Sequence, residues 1–178
     1  MTSLKPNAKV TEQLEKATRL IVSRGLKMTA LRHDVLALIL SSERPLGAYD
    51  ILHQLQNSHK GAAPPTVYRT LDFLQKQGLV HKIEKLAAFI SCIHKEDPLT
   101  DTDTDTDAGH LHQHKIQFLL CTSCGHATEL NSLVIEKTLS SVAQEQGFQY
   151  ESAIVEIEGL CQSCLQEKKS HKKSSSTA

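Results

Sequence analysis

The chain lacks any run of eighteen or more apolar residues, which excludes a membrane-spanning helix. It also lacks the apolar stretch of a secretory signal, since it begins MTSLKPNAKV. Net charge is missing too, with 20 Lys+Arg against 20 Asp+Glu. The expectation is therefore a cytoplasmic globular protein with no membrane partner. With 39% hydrophobic residues in 178, it has enough apolar material for one domain or two small ones.

The even charge total hides a division. Residues 1–85 hold thirteen basic against seven acidic side chains, and residues 86–178 hold seven against thirteen. A basic half suggests a phosphate-bearing partner, although solvated helix faces produce the same excess.

Hydrophobic periodicity organises the first half. Leu14, Ala17 and Ile21 recur at helical spacing until Gly25. Thr29 is placed to cap a second helix carrying Leu31, Val35, Leu38 and Ile39, which runs to Ser41 and Ser42. Pro45 and Gly47 break the chain, and a third helix follows from about Ala48 to Gln56. In GAAPPTVYRTLDFLQKQG, Pro64 and Pro65 suit a first helical turn, while Val67, Leu71 and Leu74 form an apolar stripe that Gly78 ends. LVHKIE and AAFISC then read as two short strands around a turn at Lys85 to Ala87. Helices followed by a β-hairpin make the pattern of a winged helix-turn-helix, which small helical domains without nucleic-acid binding share.

The segment DPLTDTDTDTDAGH has almost nothing to bury and reads as a disordered acidic insert. Its alternating aspartates lack the glycine and terminal glutamate of a calcium-binding loop. Beyond it, KIQFLLC and ATEL read as strands flanking a cysteine turn. Residues from about Leu133 to Gln146 read as a helix ending at Gly147, and YESAIVEIEGLC as a strand reaching a second cysteine turn. The expected domains are 1–92, a winged helix; 93–113, an insert and hinge; 114–167, a small α/β metal-binding domain; and 168–178, a disordered tail. The fold class is α+β.

LCTSCGHATEL at 120–130 contains two cysteines three positions apart, and CQSC at 161–164 repeats the spacing. Each turn offers two thiolates from one bend, and two turns complete the tetrahedral set that structural zinc prefers. Cys121, Cys124, Cys161 and Cys164 are thus the expected structural zinc ligands. The rival is a redox dithiol, against which neither pair reads as opening a helix, the placement that depresses a thiol pKa. Cys92 stands apart from both pairs, and several of the ten histidines lie along the chain near it: His81 on the first wing strand, and His110, His112 and His114 after the insert.

The segments GAYDIL at 47–52, PPTVYRTLDFLQKQGLVHKIE at 64–84, FISC at 89–92 and EIEGLCQSC at 156–164, with the paired CxxC motifs, resemble the ferric uptake regulator family, most closely its zinc uptake regulator branch. The resemblance covers nearly everything from the first helix to Cys164. It implies a dimeric, metal-dependent repressor with an N-terminal winged helix and a C-terminal dimerisation domain. It also implies a second, regulatory zinc on His81, Cys92, His114 and Glu129, giving two zinc ions per chain. A thiolate in that set suits zinc better than ferrous iron or manganese. One ion would draw ligands from both domains and so fix the hinge. The sequence departs from the family pattern at the DTDTDTD insert, which makes His110 or His112 substitutes for His114. It departs also at Ala30, where the family commonly has proline, and in a tail whose histidines are reduced to His171.

A recognition helix enters the major groove with its first turn against the bases. Here that turn carries Thr66, Tyr68 and Arg69. Arg69 can pair bidentately with guanine, and Thr66 and Tyr68 suit phosphate. The resemblance adds Tyr49, which could instead cap the core, and Lys60 and Arg32 are candidates for neutralising the DNA backbone. The expectation is a zinc-responsive repressor that binds palindromic operator DNA as a homodimer and controls zinc uptake genes, with no enzymatic activity and no small-molecule substrate. Its alternatives are an iron, manganese or peroxide sensor of the same family, a zinc-dependent thiol oxidoreductase or hydrolase, and a protein-interaction zinc module.

Overall fold

The computed structural model describes residues 7–56, 58–92, 116–149 and 153–174. The chain divides into two compact units, Met1–Thr102 and Asp103–Ala178. The expected acidic insert at 93–113, with His110, His112 and the neighbouring His114, lies outside the described residues.

The first unit comprises α1 (Ala8–Ser23), α2 (Ala30–Ser41), β1 (Leu46–Gly47), α3 (Ala48–Leu55), α4 (Pro64–Lys76), β2 (Val80–Ile83) and β3 (Ala88–Ser91). Val10, Leu14, Ala17 and Ile21 form the buried stripe of α1, and Val35, Leu36 and Ile39 that of α2. The Thr29 side chain accepts from the Arg32 N–H and caps α2. These stripes meet Ile51 and Leu55 of α3, Val67, Leu71 and Leu74 of α4, and Val80 and Phe89 of the hairpin in one apolar core. Ala63, before the two prolines, is extended at φ −116°, as a pre-proline residue must be, so α4 starts at Pro64. Gly78 ends it at φ +72°, a conformation that side chains with a Cβ rarely adopt.

The hairpin is antiparallel, pairing His81 with Ile90 and Ile83 with Ala88. At Pro45 and Gly47 the sequence predicts only a break in the chain. Instead, Leu46 and Gly47 pair with Phe89 and Ala88, making a three-stranded sheet of order β1-β3-β2. Two residues are too few to show alternation, and their pairing is imposed by the open edge of β3.

The second unit comprises β4 (Ile116–Cys121), β5 (Ala127–Leu130), α5 (Leu133–Glu145), β6 (Ile154–Gly159) and α6 (Gln162–Ser174). β4 lies between antiparallel β5 and parallel β6. A parallel neighbour needs a long crossover, which α5 provides after its capping by Ser132. The residues from 168, expected to be a disordered tail, continue α6 to Ser174. Their polarity gives them no core to join. However, the second cysteine turn nucleates the helix, with the Leu165 N–H donating to the Cys161 carbonyl at 2.9 Å, and Gln, Glu and Lys are good helix formers.

Candidate metal centre and nucleic-acid interface

Parallel pairing of β4 and β6 aligns Cys121 with Gly159, so the first cysteine turn leaves one strand beside the point where the second is reached. That register explains how pairs separated by a helix and a strand can share a site. The Thr122 N–H donates to the Gly159 carbonyl at 2.8 Å, locking the two exits together. Within the first turn the Gly125 N–H donates to the Cys121 carbonyl at 2.9 Å, and Gly125 takes φ +72°, which closes the loop and returns the chain to β5.

The Sγ atoms of Cys121, Cys124, Cys161 and Cys164 all lie within 4.8 Å of one another. Those of Cys124 and Cys161 are 3.8 Å apart. A tetrahedral zinc with Zn–S bonds of about 2.3 Å has an S···S edge of about 3.8 Å, so the donor set fits that ion. Cys121 and Cys164 are buried, and the other two half-buried.

The protonation chemistry points the same way. Backbone N–H groups of Cys161 and Cys124 pull the Cys121 thiol down to about 5. The Cys161 N–H lies 3.3 Å from Cys121 Sγ. For Cys164, the Ser123 side chain acts to lower the pKa, but the thiol of Cys161, burial and the remaining two thiols outweigh it and push it up to about 12. Thiolates packed this closely disfavour one another unless a cation joins them.

Contrary to the sequence-based expectation, the second pair does open a helix: Cys161 precedes Gln162, and Cys164 lies in the first turn of α6. Helix placement therefore does not exclude a redox dithiol. What favours metal is the convergence of four sulfurs where a dithiol needs two.

The other expected metal ligands are only partly described. His81 and Cys92 are both buried, at 7% and 3% exposure. His81 faces the same side of the hairpin as Ile90, its cross-strand partner. The Cys92 N–H donates to the Leu79 carbonyl, continuing the ladder and placing Cys92 on that face, diagonal to His81. Glu129 is exposed on β5, opposite Phe118. His114 lies outside the described residues.

On α4 the buried stripe leaves Thr66, Tyr68 and Arg69 exposed across the first two turns. Tyr49 is 69% exposed on α3, which removes the core-capping alternative, and Lys60 is exposed in the loop between α3 and α4. Arg32 also has partners within the unit. Its guanidinium stacks on the Phe73 ring, 3.4 Å from the centroid, and donates to the Lys27 carbonyl. It ties α2 to α4. Asp34 and His59, which the sequence does not single out, pair at 2.8 Å between α2 and the loop before α4. Residues so distant in sequence give no periodic signal of their contact.

The chain is similar to known proteins. The model of the ferric uptake regulator family matches residues 23–158. A zinc uptake regulation protein of Escherichia coli K12 is 32% identical over 155 residues, covering 87% of this chain and 82% of that protein. One from Mycobacterium tuberculosis H37Rv is 27% identical over 79% of this chain and 95% of its own length. A zinc uptake regulator solved in complex with zinc and DNA superposes with a TM-score of 0.76 at 29% identity, covering 92% of this chain and 99% of that one. A holo XcZur crystal structure gives 0.71 at 35% identity, covering 87% and 98%.

Proposed function

The chain belongs to the ferric uptake regulator family, and on that premise we propose that it is a zinc-responsive repressor, acting as a homodimer on palindromic operator DNA that controls zinc uptake genes. The observation that carries the DNA-binding part is the N-terminal end of α4. It presents Thr66, Tyr68 and Arg69 to solvent from a helix whose opposite face is anchored in the core. Arg69 reads guanine, and Thr66, Tyr68, Tyr49 and Lys60 hold the backbone. The zinc and DNA named for its structural relative support the same partners.

The second unit supports the homodimer. α5 buries no residue, and Leu133, Val134, Val142, Phe148, Ile154 and Ile157 are exposed. β6 lies at a sheet edge. A two-fold partner would cover this surface, and two recognition helices so related match a palindrome.

Two zinc sites divide the work. Cys121, Cys124, Cys161 and Cys164 hold the structural ion. His81 and Cys92, already adjacent on the hairpin, are the first unit's contribution to a regulatory ion, completed by Glu129 and His114. Bound zinc supplies a cross-link among those side chains. A differential affinity of about 5.5 kcal/mol moves a two-state equilibrium from 1:99 to 99:1, and a site that is complete in only one arrangement can provide it. We place the protein in the cytoplasm with its DNA.

The test compares duplex binding with zinc, ferrous iron and manganese at matched free concentrations, in the wild type and in Cys92→Ser and Arg69→Ala. Zinc alone should support binding. Cys92→Ser should weaken the zinc response while the chain still dimerises, and Arg69→Ala should lose about 1–3 kcal/mol of operator preference. Equal support by iron or manganese, with Cys92→Ser unaltered, would replace the zinc reading with another metal.

A further inference from the structure

The loop between α3 and α4 delivers the chain to the first turn of the proposed recognition helix, and a polar bridge ties it to α2. The His59 Nε2–H donates to Asp34 Oδ2 at 2.8 Å, joining the loop to α2. The other carboxylate oxygen of Asp34 accepts from His33 Nδ1 at 3.1 Å, so the carboxylate is held from both sides. Burial acts to raise the pKa of Asp34, but His59 and His33 outweigh it and leave it below its ordinary value, consistent with an ionised anchor. The His59 carbonyl accepts from the Ala62 N–H at 2.9 Å, a tight turn with exposed Lys60 and Gly61 at its tip. Ala63, the next residue, is the N-cap of α4. The bridge therefore sits one residue from Lys60 and four from the N-cap of the helix.

We propose that Asp34 and His59 are positioning residues for DNA binding: by tying the turn at 59–62 to α2 they hold Lys60 where it meets a duplex phosphate. Neither need touch DNA. This inference rests on the repressor reading, because Lys60 must face a duplex. An untied turn would leave Lys60 charged but delocalised, so the effect should be one phosphate left without its cation while the core stays intact. His59 serves through its N–H, so Gln, which keeps a donor at a similar reach, should replace it and Ala should not.

The experiment measures affinity of the zinc-loaded full chain for a mixed-sequence DNA duplex across a range of salt concentrations. Each phosphate that the protein ceases to neutralise lowers the slope of log affinity against log salt by about 0.9. Lys60→Ala should lower the slope by that amount per protomer. Asp34→Ala and His59→Ala should do the same with zinc content and dimerisation unchanged, whereas His59→Gln should keep the wild-type slope. Asp34→Ala combined with Lys60→Ala should have the slope of Lys60→Ala alone, because both act on the same phosphate. A wild-type slope in Asp34→Ala, or additive reductions in the double variant, overturns the positioning role while leaving the repressor reading in place. A zinc-loaded wild type that binds no duplex overturns both.

Discussion

The two units are stabilised by different means. The first closes on sixteen buried apolar side chains drawn from four helices and a hairpin, a core sufficient for a small domain. The second, among its described residues, buries Phe118, Leu120 and Ala127, with Gln117 and two of its cysteines, and its one crossover helix buries nothing. What the second lacks in apolar core it replaces with four converging sulfurs and a surface suited to a partner. A module built this way should depend on its metal for folding, whereas the unit that carries α4 is held by its own apolar core.

The largest expected effect breaks the comparison on the metal side. A structural zinc site contributes on the order of 10 kcal/mol to folding, so Cys161→Ser should lose that ion and unfold the second unit. Circular dichroism on heating, with elemental analysis for zinc, should show the transition of the first unit surviving. On the apolar side, Leu71 is fully buried in α4. Leu71→Ala should cost about 2–5 kcal/mol and lower the melting temperature of the first unit without altering zinc content. Val142, exposed on α5, offers the contrast: Val142→Glu should leave both melting transitions of the zinc-loaded monomer unchanged but raise the dimer dissociation constant, as sedimentation would show.

How much of this is readable from sequence follows the same division. α4 is legible because Pro64, Pro65, the Val67–Leu71–Leu74 stripe and Gly78 are local signals, and each survives in the fold. The clustering of Cys121, Cys124, Cys161 and Cys164 is legible because ligand spacing within a turn is local too. What the sequence conceals is contact between distant segments or structure templated by a neighbour: the β1–β3 pairing, the parallel register that joins Cys121 to Gly159, the stacking of Arg32 on Phe73, and the Asp34–His59 bridge. α6 is hidden for another reason. Polar composition argues against a core, but a helix seeded at the cysteine turn requires none.

The smallest expected effect concerns acid stability of the first unit. Asp34 has a depressed pKa in the fold, so the stability it contributes is present above its ordinary value of 3.8 and is lost as pH falls through the lower folded value. With 39% of the side chain exposed, the contribution is screened to about 1 kcal/mol or less. Asp34→Asn should therefore melt slightly below wild type at neutral pH, and the difference should vanish in denaturation curves taken well below pH 3.8.

The most direct test of a metal-built module governing a core-built reader is a stepwise zinc titration of the stripped protein, following α/β signal, dimerisation and duplex binding together. The account predicts that the first equivalent folds and pairs the second unit with little gain in duplex affinity, and that the second equivalent switches specific binding on. Full duplex affinity at one zinc per chain, or in metal-free protein, would contradict it.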